Sequence, residues 1–192
     1  MNFVESHPPP VPAYQNTREF GALWDLVASR PHARILEIGS LYGGTLWWWG
    51  QLPKVKTLVA VDMPTDWEQV RDDVIEARTS WPGWFDHLRF VDLQADSRDP
   101  DTVTAVEKAL RGSAFDVAFI DGDHTYEGVR ADWLTYSPLV RPGGLVAFHD
   151  TWPNGDQCQP GVVAWVDELR HHLPSIEFTD PDGVGICVFT MP

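Results

Sequence analysis

Residues 35–45 read Ile-Leu-Glu-Ile-Gly-Ser-Leu-Tyr-Gly-Gly-Thr, and this stretch decides the fold. The apolar run at 34–38 predicts a buried strand, because aliphatic residues bounded by turn formers favour that state. Glycines and a serine then predict a sharp turn, and residues 41–52 continue as a helix. Free N–H groups at such a turn, beside the positive end of a helix dipole, suit a carboxylate or phosphate. Many α/β proteins carry this turn without using it, so the residues further along the chain decide its meaning.

Composition limits the class of protein. The chain has 192 residues, 43% hydrophobic and 22% charged, which is ordinary for one globular domain. Its net charge of −14 repels phosphate backbones, so we expect no nucleic-acid partner. We expect most of the ten tryptophans to fill the core, although such a number can also line a pocket or a homodimer interface.

Two features predict a cytoplasmic protein. The two cysteines, Cys158 and Cys187, lie far apart without metal-binding or redox spacing, which favours a reducing compartment. No signal peptide and no apolar stretch of membrane-spanning length is visible, so we expect no membrane partner.

The chain divides into a proline-rich arm and one domain. Residues 1–16 contain four prolines within 8–12 and are expected to be extended rather than packed. Such an arm could be disordered, cover a partner subunit or close over a pocket. Residues 17–192 are predicted to form a single domain.

Strands and helices alternate five times within that domain. The predicted strands are 34–38, 57–61, 88–93, 115–120, 145–148, 176–179 and 184–190. The predicted helices are 17–29, 41–52, 66–78, 101–110, 126–139 and 162–171. This alternation predicts an α/β fold with a mostly parallel sheet, helices on both faces and an antiparallel hairpin at the carboxyl end.

Each of the first five strands ends in polar residues. They are Gly39-Ser40, Asp62, Asp96, Asp121 and His149-Asp150. In open α/β sheets, ligands bind in the crevice at the carboxyl ends of the strands. We therefore expect these residues to line one site.

Each residue at this edge can be given a chemical task and a simpler alternative. Asp62 stands where an acid binds ribose hydroxyls, although it could only cap a turn. Asp96-Ser97 could accept a hydrogen bond from the amine of adenine, or could cap the following helix. Two carboxylates and an imidazole, from Asp121, His149 and Asp150, suit a divalent cation such as Mg²⁺ or Mn²⁺, or could form a hydrogen-bond network.

His124 follows Asp121 by three residues at the same edge. An imidazole titrates near neutrality and can accept a proton from a substrate hydroxyl. The other five histidines, among them His32, lack such neighbours and are expected at the surface.

The motifs together resemble the class I S-adenosylmethionine-dependent methyltransferases. The matching residues are 35–40 with 43–45, Val61-Asp62, Phe119-Ile120-Asp121-Gly122-Asp123-His124-Thr125-Tyr126-Glu127, 142–144, Phe148-His149-Asp150-Thr151 and Gly161-Val162. The bacterial branch with I-D-G-D-H-x-Y and F-H-D motifs, which includes macrolide sugar O-methyltransferases and cephalosporin-hydroxylase-like proteins, is most similar. The catechol and caffeoyl-coenzyme A O-methyltransferases are more distant relatives. The resemblance implies a Rossmann-like, doubly wound, seven-stranded sheet.

The resemblance also implies a role for each matching residue. The methionine part of S-adenosylmethionine would be held by Glu37, Gly39, Ser40, Tyr42, Gly43 and Thr45. Asp62 would bind the ribose, Met63 would pack on the adenine, and Asp96-Ser97 would flank the adenine edge. Asp121, His149 and Asp150 match the metal positions, and Asp121 also borders the cofactor. Plant and animal relatives carry an acid followed by an amide where this chain has His149-Asp150, so the metal itself is left open.

These roles predict metal-assisted methyl transfer to an oxygen of a small acceptor, a sugar diol or a phenol. His124 occupies the position of the general-base lysine in the catechol enzymes. Two alternatives stay open: a nicotinamide-dependent oxidoreductase, whose G-x-G-x-x-G fingerprint is broken by Leu41, and a protein that binds the cofactor without transferring its methyl group.

Overall fold

The computed structural model describes residues 2–65, 70–154 and 158–192, and its centre is one seven-stranded sheet. The strands are β1 Arg34–Ile38, β2 Thr57–Asp62, β3 Arg89–Gln94, β4 Phe115–Ile120, β5 Val140–His149, β6 Ser175–Phe178 and β7 Ile186–Thr190. The helices are α1 Phe3–Ser6, α2 Thr17–Ala28, α3 Gly44–Gly50, α4 Asp72–Arg78, α5 Trp81–Trp84, α6 Pro100–Leu110, α7 Tyr126–Tyr136 and α8 Pro160–Arg170. A 3₁₀ turn, Ser137–Leu139, joins α7 to β5.

The strand order is β3-β2-β1-β4-β5-β7-β6. β1 to β5 pair in parallel, while β7 pairs antiparallel with both β5 and β6. The chain reverses direction across the sheet between β1 and β4, which is the switch point where α/β sheets of this kind open a crevice. The predicted fold class is confirmed: a doubly wound, mostly parallel sheet with an antiparallel hairpin at its carboxyl end.

Two hydrophobic clusters cover the two faces of the sheet. Leu36 and Ile38 of β1 belong to one cluster, with residues of α6, α7 and α8. Ile35 belongs to the other, with residues of α2 and α3. Successive side chains of a strand point to opposite faces, so the continuous apolar run of β1 reflects a strand buried on both sides.

The first residues pack against the domain, contrary to the expectation of an extended arm. Residues 3–6 form a helical turn, Asn2 caps it, and the side chain of Val4 is buried. The ring of Phe3 stacks on Trp24 with centroids 4.4 Å apart. The remaining residues up to 16 have no regular helix or strand. The division into an arm, 1–16, and a domain, 17–192, stays a prediction.

Local backbone geometry moves several predicted boundaries. The helix expected from residue 41 begins at Gly44, because Leu41 and Gly43 have φ angles of 48° and 86°. The helix expected from Asp66 begins at Asp72, and residues 66–69 lie outside the described part of the chain. Residues 141–144, expected as a turn, belong to β5, whose pairing with β4 shifts register there. No helix within the described residues is both long and apolar enough to cross a membrane.

His32 is buried, not at the surface as expected. Its side chain is 1% exposed, and its Nδ1 lies 2.6 Å from the carbonyl oxygen of Arg30. A contact with the backbone two residues earlier folds the ring into the turn between α2 and β1. Short-range contacts of this type leave no signature in hydrophobic periodicity.

Glu37 of β1 joins the strand to α3 through a buried carboxyl group. The side chain is fully buried and accepts hydrogen bonds from Thr45 Oγ1 at 2.8 Å and Trp49 Nε1 at 2.7 Å. Burial raises the pKa of this carboxyl to about 8, despite the two hydrogen bonds that favour its charged form.

Gly39 sets the distance between β1 and β4 at the switch point. Its φ angle is +83°, and a Cβ built on it would lie 2.0 Å from the carbonyl oxygen of Asp121. The backbone amide of Asp121 donates to the Ile38 carbonyl at 2.8 Å. Only glycine combines this backbone conformation with so close an approach.

We predict that Gly39→Ala lowers the free energy of unfolding by at least about 2 kcal/mol more than Gly112→Ala. Gly112 is a matched control, since its φ angle is +76° but a Cβ added to it would meet no atom within 4 Å. The control therefore carries only the strain of a positive φ, about 1–2 kcal/mol. Urea denaturation measures both free energies. Equal losses would show that the backbone of Asp121 does not exclude a side chain at residue 39.

Glu37 generates a prediction about pH. Because its pKa in the folded chain, about 8, lies above the ordinary value of 4.5, the folded state holds a proton that the unfolded state has lost between these values. The contribution of Glu37 to stability should therefore fall as pH rises from 5 to 8, by up to several kcal/mol at about 1.4 kcal/mol per unit.

The measurement compares urea denaturation of the wild type and Glu37→Gln at pH 5, 6.5 and 8. The wild type should lose stability relative to the variant across this range. Subtracting the two profiles removes the other groups that titrate there. Parallel profiles would contradict the raised pKa.

Candidate functional site

A cavity of about 980 Å³ opens at the carboxyl ends of β1, β2, β4 and β5. Most residues predicted for the site line it, namely Gly39, Ser40, Tyr42, Thr45, Asp62, Met63, Asp96, Ser97, Asp121, His124, His149 and Asp150. Glu37 and Gly43 are not in its wall. The switch point of the sheet therefore brings nearly all the predicted residues to one cavity.

The glycine turn is held by Asp62. The carboxylate Oδ2 of Asp62 accepts hydrogen bonds from the backbone amides of Ser40 at 2.9 Å and Leu41 at 2.6 Å. It also pairs with the buried guanidinium of Arg78, whose Nη2 lies 2.7 Å away. Two of the amides expected to be free for a ligand are thus used within the protein, and the turn shapes the cavity through its backbone path.

Glu37 and Gly43 support the turn from outside the cavity. Glu37 bonds to α3 as described above. A Cβ on Gly43 would lie 2.3 Å from Nε1 of Trp81, which donates to the carbonyl of Tyr42 at 2.9 Å. Their predicted contact with a cofactor stays a prediction, and the observed contacts give both residues a structural role.

The residues that follow β3, Asp96 to Arg98, form one edge of the cavity. Asp96 binds Arg98 through the backbone amide and the guanidinium, at 2.9 to 3.1 Å. The hydroxyl of Ser97 instead donates to Oδ1 of Asp132 at 2.6 Å. Asp132 is 1% exposed, and burial raises its pKa to about 6.

A compact group of two carboxylates and two imidazoles lies in the cavity wall. His124 Nε2 lies 3.5 Å from Asp121 Oδ1 and 3.2 Å from Asp150 Oδ2. His149 Nδ1 lies 3.2 Å and 3.4 Å from the same two oxygens. Asp150 has a φ angle of +60°, unusual for a residue other than glycine and a type of strain that clusters at functional sites.

The four groups shift one another's pKa values strongly. Burial raises the pKa of Asp121, but the positive charge of His149 and the nearby His124 ring outweigh it and hold the pKa at about 2. The neighbouring Asp121 carboxylate, 3.5 Å away, raises the pKa of His124. Burial lowers the pKa of His149, yet Asp121 and Asp150 outweigh it and raise the pKa to about 10. Such coupled titratable groups in a cavity are typical of functional sites.

The same group has the donor set and spacing of a metal site. One ligand atom from each of Asp121, His124 and Asp150 lies within 4.8 Å of the others. Carboxylates with an imidazole suit Mg²⁺, Mn²⁺ or a later transition metal. The sequence assigned His149 as the third ligand and His124 as the base; the geometry places both rings against the same carboxylates, so that division stays a prediction.

Two residues at this site were missed by the sequence analysis. Gln15 reaches from the arm and donates through Nε2 to Asp121 Oδ2 at 2.7 Å, and residues 12–15 line the cavity. Asp132 lies on the buried side of α7, between Val129 and Tyr136. An acid at helical spacing from apolar residues was a signal available in the sequence, whereas nothing in the sequence indicated Gln15.

Two known proteins are similar in sequence to part of this chain. Over 121 residues it is 33% identical to demethylmacrocin O-methyltransferase of Streptomyces fradiae, covering 53% of this chain and 30% of that protein. Over 124 residues it is 36% identical to mycinamicin VI 2''-O-methyltransferase of Micromonospora griseorubida, covering 54% and 31%. The match therefore spans only about a third of the length of these relatives.

A solved structure has the same fold. The MycE methyltransferase from the mycinamycin biosynthetic pathway, in complex with Mg, SAH and mycinamycin VI, superposes with a TM-score of 0.58 at 19% identity. The superposition covers 95% of this chain and 50% of that one.

Residues 36–151 match the family described as methyltransferase domain. This segment runs from the middle of β1 past the end of β5, and so includes the switch point, the glycine turn and the group of carboxylates and imidazoles. The chain therefore belongs to the methyltransferase domain family.

Proposed function

We propose that this protein is an S-adenosylmethionine-dependent O-methyltransferase that acts on a small hydroxylated acceptor with the help of a divalent cation. The observation that carries the proposal is the group of Asp121, His124, His149 and Asp150 in the wall of a cavity that also contains the glycine turn and Asp62. Family membership and the similarity to two macrolide O-methyltransferases support the choice of reaction.

The cavity fits the cofactor in size and chemistry. Its volume of about 980 Å³ lies at the upper end of ordinary ligand sites, which leaves room for a nucleoside with an amino-acid chain and an acceptor. Asp62 would bind the ribose through its carboxylate, Met63 would contact the adenine, and Asp121 would face the amino-acid part. When bound, S-adenosylmethionine supplies an electrophilic methyl group on a sulfonium sulfur.

The carboxylates also fit a cation. The carboxylate of Asp121 contacts both imidazoles through Oδ1 and accepts a hydrogen bond from Gln15 through Oδ2. Its position is therefore fixed before any ligand binds. The Nε2 of His149 is buried and has no hydrogen-bond partner among the described residues, an unpaired polar atom that a bound ion or water would satisfy. A divalent cation held here would supply a Lewis acid that lowers the pKa of acceptor hydroxyls.

His124 has the properties of a proton acceptor. Its side chain is 38% exposed and lies at the edge of the group, whereas His149 is 7% exposed. Asp121 orients the ring and strengthens its affinity for a proton. The protein's main contribution is alignment: the turn and Asp62 would fix the methyl donor, while Asp121 and Asp150 would fix the acceptor oxygen in line with it.

A cofactor-binding protein without transfer activity is the second candidate. Two observations make it the weaker one: both carboxylates and both imidazoles are present, and Asp150 keeps a strained backbone angle at the site. Family membership also weighs against a nicotinamide-dependent oxidoreductase. A small acceptor, a cytoplasmic location and a homodimer are parts of the same proposal.

We expect His124→Gln and Asp150→Asn each to lower turnover by about 10²–10⁴-fold, since each removes a group that acts on the acceptor rather than on the cofactor. The affinity for S-adenosylhomocysteine, measured by calorimetry, should stay within about threefold of wild type. Turnover is followed as transfer of labelled methyl groups to a panel of sugars and phenols.

His172→Gln, an exposed histidine outside the cavity, is the matched control and should leave turnover unchanged. Loss of cofactor affinity in parallel with turnover would contradict this division of roles. Binding of S-adenosylhomocysteine by the wild type without transfer to any compound of the panel would favour the second candidate.

Cation binding tests which imidazole is the ligand. Asp121→Asn and Asp150→Asn should each weaken Mn²⁺ binding, measured by electron paramagnetic resonance, at least about tenfold. If His149 is the ligand and His124 the base, His149→Gln weakens binding similarly while His124→Gln does not. The reverse pattern would assign the cation to Asp121, His124 and Asp150 and would remove His124 from the role of base.

A further inference from the structure

We propose that Asp132 determines which base the bound cofactor carries, by fixing the hydroxyl of Ser97 as a hydrogen-bond acceptor. An acceptor at this edge of the cavity selects a base with an exocyclic amine, as in adenine, over a base with a carbonyl at the same position, as in hypoxanthine. The inference rests on the proposed function and assigns a specificity-determining role to a residue that does not line the cavity.

Two groups of α7 hold Ser97. Its hydroxyl donates to Oδ1 of Asp132 at 2.6 Å, and its carbonyl accepts from the hydroxyl of Tyr136 at 2.5 Å. Asp132 is 1% exposed and Tyr136 is fully buried. Ser97 itself is part of the cavity wall. The position of this hydroxyl is therefore set by two buried side chains of one helix.

The direction of the hydrogen bond follows from the charge of Asp132. An ionised carboxylate only accepts, so the single proton of the Ser97 hydroxyl is directed at Asp132. The remaining lone pairs of that oxygen can only accept from a ligand. The pKa of Asp132, about 6, keeps it ionised at pH 8.

Neighbouring Asp96 is less available for the same contact. Its carboxylate oxygens accept from the amide, Nε and Nη2 of Arg98. The Ser97 oxygen has only one partner among the described residues, Asp132, for which it is the donor. A ligand amine at this edge therefore has Ser97 as its free acceptor.

A base with a carbonyl would place an acceptor against an acceptor. The two atoms could not hydrogen-bond to each other, and a polar group that loses its partner on binding costs affinity. The Oδ2 of Asp132 is buried and has no hydrogen-bond partner in the described part of the chain, so the hydrogen bond from Ser97 has no competitor for this carboxylate there.

Calorimetry at pH 8 with S-adenosyl-L-homocysteine and S-inosyl-L-homocysteine tests the proposal. The wild type should prefer the adenosyl compound by about tenfold or more. In Asp132→Leu the Ser97 hydroxyl is free to donate, and the preference should fall to within about threefold because the inosyl compound binds better. Asp167→Leu, at an exposed acid of α8, is the control and should keep the wild-type preference.

Ser97→Ala is the second variant. It tests the role of the Ser97 acceptor if thermal denaturation shows that Asp132→Leu is unfolded. It removes the acceptor and should abolish the preference by weakening the adenosyl compound alone. A wild-type preference retained in the folded Asp132→Leu or in Ser97→Ala, or equal loss of both affinities, would overturn the role of Asp132 and leave the proposed function intact. A wild type that binds neither compound would overturn both.

Discussion

The close packing of Gly39 on the backbone of Asp121 governs the geometry of the whole site. At this point the end of β1 and the end of β4 approach within a distance that excludes a Cβ. The glycine turn continues from one strand and the carboxylate of Asp121 from the other. A larger residue at 39 would separate them, so the glycine turn and the Asp121 carboxylate share one cavity only because residue 39 has no side chain.

The turn itself is stabilised by acids rather than prepared for an anion. Asp62 accepts from two of its amides and pairs with the buried Arg78, and Glu37 fastens the following helix from below. The contacts of Asp62 fix the backbone of the turn, and those of Glu37 fix the start of α3, before any ligand binds. Under the proposed function, this acidic edge would suit a cofactor whose ribose hydroxyls and ammonium group are donors, and would be unsuited to one bound mainly through phosphates.

The sequence predicted the strands from their apolar runs. It also predicted the edge at which they end, because parallel strands joined by helices all have their carboxyl ends on the same side of the sheet. It could not predict the start of α3, which depends on the positive φ of Leu41 and Gly43. The contacts of Gln15 and Glu37 were also beyond sequence reasoning, since their partners lie 106 and 8 to 12 residues away. Asp132 differs: an acid between Val129 and Tyr136 on a buried helix face was a visible conflict with the apolar pattern.

Charge balance links the two roles assigned to the histidines. Two ionised carboxylates and two protonated imidazoles sum to zero, and two carboxylates, two neutral imidazoles and one divalent cation give the same sum. Under the proposed function, a cation held by Asp121 and Asp150 would replace protons on His124 and His149 with little change in the net charge of this group. His124 can accept a proton only in its neutral form. Under the proposed function, the carboxylates would couple cation binding to the availability of the base. A raised pKa of His124 in the free protein is then compatible with the proposed proton-accepting role in the cation-bound protein.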